Sequence, residues 1–500
     1  MDDRGGQLTV VSNRLPVVMN HSDGGWNIEA GSGGLVQAMN PILERRGGRW
    51  VGWPGVMGED GDGWRDGLDE VCAQTGYQLE PVVLSRDEYQ GFYRGFANSV
   101  IWPLFHGFAE RCEFDPEFYA AYGRVNQKFA DAVADSVDDT SFVWAHDYHL
   151  LELARRLRDR GHRGRLALFL HIPFPSLENF WKLPWRDDLL TDLLNYDVIG
   201  FQTVRDRIHF QRCVEYLGVD VDIDADATTC HIDLGGRIVD VGAFPIGIDF
   251  DDFATRAATD EVSRRIESLQ DDLGPYKVLL GVDRLDYSKG LVQRLRAYEQ
   301  ALKRHPDLRE EVVFFQLVVP SRECVPQYQA LKRDLDRIIG RINGQFATSS
   351  WQPIHYLYNS VAPSELSAMY RLASVALVTS LRDGMNLVSK EYCASQIDEE
   401  GVLVLSEFAG SRRQLGDDAL LVNPYDVDAT ARAIYRAITM DADERRRRMR
   451  SMRKTIEQSD VFWWAHSFLE CVQHVAETRR HVVDISSQSQ PVLREQTGSP

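Results

Sequence analysis

Short apolar runs in the first half of the chain alternate with stretches whose apolar residues recur every three or four positions. The runs are Leu8–Ser12, Trp50–Trp53, Val82–Leu84, Phe142–Ala145, Leu166–Leu170 and Val198–Phe201, and the amphipathic stretches include Leu150–Arg160 and Arg205–Leu217. A run buried on both faces and followed by a helix-period segment is the pattern of a parallel strand with its crossover, so a parallel sheet with helices on both sides is expected. Cys230–Val241 alternates apolar and polar positions instead, which predicts a small hairpin turning at Gly235–Gly236. FPIGIDFDD, from Phe244 to Asp252, marks the way out of this unit. A second strand–helix series begins at Lys277 with VLLGVDRLDYSKGL, then strand Val312–Val319, helix Pro326–Ile342, strand Ile354–Leu357, helix Pro363–Leu372 and strands at Val375–Thr379 and Val402–Leu405. The fold class is α/β, with two Rossmann-like doubly wound units.

A chain of 500 residues, 44% hydrophobic, is too long for one ordinary core, which agrees with two domains. Their bounds read as 1–245 and 246–455. Residues 456–480 read as a helix returning onto the first domain, and the polar, proline-containing end, 481–500, as a disordered tail. A formal charge of −19 argues against nucleic acid and anionic membranes as general partners, so any phosphate must be held by a few locally placed cations. Seven scattered cysteines without a C-x-x-C pair fit reduced thiols better than disulfides or a zinc site, and no apolar run approaches a membrane span. A cytosolic protein is the expectation, and oligomeric state stays open, a homo-oligomer included.

Polar residues cluster where the apolar runs stop. Arg14 follows the first strand, Asp147 follows VWAH, His171 follows LALFL, Arg284 and Lys289 follow LLGV, Arg322 follows FFQLVV, and Asp383 follows VALVT. Ligands of doubly wound sheets collect at these carboxyl ends. The run after Val375, LRDGMNLVSKEY, predicts a strand, a tight turn and a helix whose first amides seat a phosphate, with Gly384 permitting close approach, Asp383 accepting sugar hydroxyls and Glu391 within reach of a ribose. Taken alone, those residues read first as an ordinary turn and a solvated helix position, and only the other stretches shift that reading. Arg284 and Lys289 sit five residues apart across a turn, able to converge on one diphosphate, and no Asp-x-Asp pair stands beside them to hold a metal. His171 reads as a core histidine as readily as a ligand, and Asp147 as a helix cap. Trp53, Tyr93 and Trp102 have faces suited to pyranose rings, although core packing is their ordinary use.

Together SNRLP, GFYRGFANSVIWPLFH, WAHDYHL, LFLHIPFPS, GVDRLDYSKGL, PSR, GRINGQF and LRDGMNLVSKEY make the chain resemble the trehalose-6-phosphate synthases of glycosyltransferase family 20, over nearly its whole length to about Phe468. The resemblance implies a GT-B arrangement, two Rossmann-like domains facing across a cleft. It also implies retaining transfer of glucose from UDP-glucose, or another nucleoside-diphosphate glucose, to glucose 6-phosphate by a front-face route. By match of motif, Arg14, Tyr93 and Arg322 would hold the acceptor phosphate, and Trp53, Trp102 and Asp147 would shape the acceptor pocket. Gly34 would approach the donor, Arg284 and Lys289 its diphosphate, and His171 and Asp383 its glucose hydroxyls. Gly384, Met385, Asn386, Leu387 and Val388 would complete the diphosphate seat, with Glu391 on the ribose. Arg284, Lys289, Asp147 and His171 would carry catalysis without a metal or cofactor, and a separate phosphatase would act on the product. A glucosylglycerol-phosphate synthase and a catalytically silent sugar-phosphate sensor are the alternatives.

Overall fold

The computed structural model describes residues 7–22, 25–31, 33–223, 228–322 and 325–473. The first sheet has nine strands, in spatial order Gln78–Pro81, Arg49–Trp53, Leu8–Arg14, Phe142–His146, Arg165–Leu170, Val198–Phe201, Ile238–Ala243, Thr229–Asp233 and Val221–Ile223. The first seven pair in parallel and the last two antiparallel. The second sheet is parallel throughout, in the order Ile354–Tyr358, Val312–Val319, Lys277–Arg284, Val375–Val378, Val402–Ser406 and Leu420–Val422. Counted along the chain within each unit, the six leading parallel strands of both sheets read 3-2-1-4-5-6. The chain order therefore reverses twice, between Leu8–Arg14 and Phe142–His146 and between Lys277–Arg284 and Val375–Val378. At such a reversal the crossovers leave to opposite faces and open a crevice.

Burial explains why these segments are strands. Val10 pairs with Trp50 on one side and Trp144 on the other, and all three are fully buried, as a central parallel strand covered on both faces requires. At the antiparallel edge Cys230 and Ile232 face the core while His231 and Asp233 do not, which is the alternation of a half-covered hairpin.

The chain crosses between the units twice, and the crossings touch: Val461 N donates to Ile248 O at 3.0 Å. The peptide at Ile246 is held from both sides. Its N–H donates to Gln202 Oε1 of the first unit at 2.9 Å, and its carbonyl accepts from Lys390 Nζ of the second at 2.6 Å. A helix over 461–473 lies on the first sheet, where Phe468 stacks on Trp144 with ring centroids 4.7 Å apart and Trp464 packs at 5.2 Å.

Several elements differ from the pattern reading. Val82–Leu84 is not a strand: the pairing segment is Gln78–Pro81, and Leu84 keeps a single bridge to Met57, because the edge strand needs only one apolar face. The stretch after the first strand contains a hairpin, Val17–Ser22 with Gly25–Ala30, that is absent from the pattern reading. The helix Gly34–Arg46 continues past Pro41, and the helix Pro116–Ser136 is missing from the pattern reading altogether. The helix Ala442–Gln458 runs through the expected boundary at 455/456, and the break falls at Ser459–Asp460. Residues 474–480 and the tail 481–500 lie outside the described residues.

Candidate active site

In the second sheet, the loops after the two switch-point strands lean on each other, with Leu381 N donating to Ser288 O at 2.7 Å. They bring Lys289 Nζ to 2.6 Å from Asp383 Oδ2, an oxygen that also accepts from Asn386 Nδ2 at 3.0 Å and Ser380 Oγ at 3.1 Å. Burial alone would push the Asp383 carboxyl up, but the Lys289 charge and these donors outweigh it and hold the group below the usual carboxylate range. Asn386, at φ +75°, is the N-cap of the helix Leu387–Ser395, its side-chain oxygen taking Ser389 N at 3.1 Å. The amides of Leu387 and Val388, ahead of that cap bond, have no acceptor within the helix, so this turn is a seat for a phosphate. Deeper in the same helix, Glu391 Oε2 accepts from Tyr370 OH at 2.7 Å, and burial raises its carboxyl.

Gly384 is required by the other domain. A Cβ there would lie 2.1 Å from the His171 carbonyl oxygen, so the donor loop rests directly on the loop after Arg165–Leu170. Gly34 meets Leu387 in the same way, with a built Cβ 3.1 Å from its Cδ1. Met385 is buried between the units among core residues of the first.

The first sheet's switch point carries Arg14 and Asp147. The Arg14 guanidinium lies over the Trp53 ring at 4.8 Å, and Trp53 continues into stacked Tyr89 and Tyr93, whose centroids are 5.2 Å apart. Asp147, at φ +72°, receives His171 N at 3.3 Å. Burial pushes its carboxyl up to about 6, while the Tyr148 and His171 amides and the charge of Arg284 pull the other way. His171 is half-buried, and desolvation lowers it to about 3, so the ring is neutral. Because Ile246 N occupies Gln202 Oε1, the Gln202 amide donates to His171 Nδ1 at 3.4 Å, leaving Nε2 to bond His146 Nδ1 at 3.1 Å. Both ring nitrogens of His171 are thus engaged inside the first unit.

The two units meet at Trp102. Arg322, at φ +50°, lies over that ring at 4.1 Å, and Arg284 lies over it at 5.9 Å, although both arginines belong to the second unit. Arg322 Nη2 also donates to Tyr148 OH of the first unit at 3.3 Å, and Nη1 to Asp286 Oδ2 at 3.4 Å and to Tyr328 OH. Tyr89, Tyr93, Arg94 and Asn98 from one side and Pro320, Ser321, Arg322 and Val325 from the other line a cavity of about 260 Å³. Arg284 is solvent-exposed and Lys289 half-buried, so both cations can be reached from the crevice.

The structure thus brings Lys289, Asp383 and Asn386 together, Arg14 with Trp53 and Tyr93, and Trp102 with Arg284 and Arg322, while Glu391 lies deeper against Tyr370 and His171 uses both ring nitrogens within the first unit. Sequence reasoning misses Tyr148, Asp286 and Tyr328, which hold Arg322, and His106, which is buried near Asp286 and lowered to about 4. Asp286 had a signal, as the second carboxylate of VDRLDYSK at a strand end. The others are aromatic or histidine positions indistinguishable in sequence from core. Among the described residues no cluster of three or more His, Cys, Asp or Glu side chains is arranged to hold a metal ion.

The family model for glycosyltransferase family 20 matches residues 6–474. A trehalose-6-phosphate synthase of Mycolicibacterium smegmatis is 38% identical over 98% of this chain and 97% of its own. A bifunctional trehalose-6-phosphate synthase/phosphatase of Thermoproteus tenax is 43% identical over 95% of this chain, which spans 65% of that relative, and the chain spans 62% of a UDP-forming relative from Dictyostelium discoideum. Among solved structures, a UDP-forming alpha,alpha-trehalose-phosphate synthase from Burkholderia xenovorans in complex with glucose-6-phosphate superposes with a TM-score of 0.85, at 35% identity, covering 94% of this chain and 100% of that one. An E. coli structure bound with UDP-2-fluoro glucose gives 0.83 at 36% identity, covering 93% and 99%. With two doubly wound units, one shared crevice and a family match over nearly its whole length, the chain belongs to glycosyltransferase family 20.

Proposed function

We propose that the chain transfers glucose from UDP-glucose to glucose 6-phosphate with retention, giving α,α-trehalose 6-phosphate and UDP. The observation that carries this reading is the meeting at Trp102, where Arg284 and Arg322 of the second unit stand over an aromatic ring of the first. A donor diphosphate beside Arg284 and an acceptor phosphate beside Arg322 then lie on either side of one reaction centre.

In this mechanism the Leu387 and Val388 amides, Lys289 and Arg284 bind the diphosphate, Glu391 the ribose and Asp383 the glucose hydroxyls. Arg14, Tyr93 and Arg322 hold the acceptor phosphate, and Trp53, Trp102 and Asp147 fix the sugar ring. The bond from C1 to the diphosphate oxygen breaks with its electron pair leaving on UDP. The acceptor O1 bonds to C1 on the same face, and its proton passes to the departing phosphate oxygen. Preorganised cations stabilise the developing charge, so neither a carboxylate nucleophile nor a metal is needed.

The acceptor phosphate is bound and not attacked, so the product keeps it. We place the protein in the cytosol, since Cys72, Cys112, Cys213 and Cys393 are free thiols, as a reducing compartment keeps them. Among the described residues no helix is long and apolar enough to cross a membrane.

Mixing UDP-glucose with glucose 6-phosphate tests the reading directly. One UDP should be released per phosphorylated disaccharide, with the rate unchanged by EDTA. Faster turnover with glycerol 3-phosphate as acceptor, or no UDP release at all, would sink it.

A further inference from the structure

A pocket of about 340 Å³ lies between the ends of Val198–Phe201 and Val402–Ser406. Thr203, Val204 and Arg205 line it from the first unit, and Glu407, Arg412 and Arg413 from the second. None of the residues already assigned to the donor or acceptor lines it.

Its chemistry suits an anion. Arg205, Arg412 and Arg413 form no ion pair among the described residues, and Arg205 Nε is buried without a hydrogen-bond partner. Val204 and Arg205 open the helix Val204–Tyr216, so their amides have no acceptor within it, while Thr203 caps only Asp206. A fourth guanidinium is close by: Arg382 makes a 3.5 Å ion pair to Asp206 across the units, and it is lowered to about 10, by burial first and then by the charge of Arg205. The carboxylates present are Glu407 and Asp417 on the pocket wall and Asp206, which is already committed to the Thr203 hydroxyl, Phe174 N and Arg382. In a chain with a net charge of −19, like-charged side chains crowded across a domain junction leave room for a missing counter-charge.

The pocket also adjoins the donor loop. Ser411 N donates to Met385 O at 2.9 Å, and a Cβ on Gly410 would lie 1.8 Å from Gly384 O, so the segment that presents Arg412 and Arg413 is pressed against the diphosphate seat. We propose that this pocket is a second anion site, which takes a phosphate group, as inorganic phosphate or as a small phosphomonoester, between Arg205 of one unit and Arg412 and Arg413 of the other. Occupancy ties the two units together directly behind the donor loop, so the bound anion bears on domain closure without entering the reaction centre.

The test is equilibrium binding to the full chain in phosphate-free buffer without substrates, so its outcome does not depend on the transferase reading. Titration of wild type and of the double variant R205Q/R413Q with inorganic phosphate, and separately with glycerol 2-phosphate, should show the variant losing one equivalent, or binding it at least tenfold more weakly, for one ligand or both. Glucose 6-phosphate and UDP-glucose KM values in phosphate-free buffer should stay within twofold. The single variant R412Q provides the same readout should the double variant fold poorly. Isotherms unchanged by the substitutions for both ligands would overturn the proposal, because the phosphate would then be binding elsewhere or not at all.

Discussion

At the residue scale the most informative group is Asp147, a carboxylate in a left-handed turn at the first switch point whose burial lifts it to about 6. A raised carboxyl favours the neutral form, so the stability tied to it is complete at acid pH and fades as pH rises through 6. The proposed role needs the ionised form, to accept an acceptor hydroxyl, and runs the other way. The rate should fall about tenfold per pH unit below about 6, as a single group needed in its ionised form requires. Asp147→Asn should lower kcat/KM at pH 8 by about a hundredfold and abolish that acid limb. An acid limb that survives the substitution would show that another group is titrating. Arg322 illustrates the opposite design, a cation kept charged while buried by aromatic faces and by acceptors drawn from both units.

At the element scale the donor loop is defined by what it touches. Between Ser380 and Leu387 it is held by Asn386 capping its own helix, by Lys289 on Asp383 and by contact of Gly384 with His171 O. Gly384→Ala must move one of two backbones, because its Cβ meets a carbonyl that cannot rotate away. We expect the variant to fold, with the thermal midpoint within a few degrees, yet to bind UDP at least tenfold more weakly by calorimetry. Unchanged UDP affinity would show that the contact has no bearing on the seat. The helix that follows carries Lys390, fully buried, with a single bond to Ile246 O and lowered to about 7 by burial. A lysine with a depressed folded value releases its proton on folding, so stability should rise as pH climbs from about 7 towards 10.5 and be lost on descending through 7. Lys390→Met should flatten that rise in chemical denaturation, while lowering stability at pH 9 by about 1–3 kcal/mol through the orphaned carbonyl.

For the whole molecule, the decisive feature is that the chain returns. After the second sheet the helix 461–473 lays Trp464 and Phe468 onto Trp144 and Phe169 of the first, beside the crossing at Ile246. That helix therefore ties the end of the second unit back to the first. Trp464→Ala empties a fully buried site and should cost about 3–5 kcal/mol. If that tie sets the relation between the units, activity at 25 °C should fall more than the folded fraction does, as measured by circular dichroism on the same sample. Equal losses would make the helix a contributor to core stability only.

Much of this was legible before any coordinates. The alternation of apolar runs with amphipathic stretches establishes two doubly wound units, because a strand covered on both faces and a helix covered on one leave different periods in sequence. Polar residues at strand ends mark the carboxyl edge for the same reason, since the apolar run stops where the sheet stops. Elements half exposed to solvent, such as Gln78–Pro81 and the hairpin Val17–Ser22 with Gly25–Ala30, escape that reading, because one apolar face in a short strand resembles a loop. What only the tertiary structure decided is which of those strand ends face each other. Arg322 finds Tyr148, 174 positions away, and Gly384 finds His171, through the packing of two separate cores and the two crossings beside Ile246. Local sequence sets the period of burial within each unit, but a contact between units depends on shape and charge assembled from both, which no stretch of either contains.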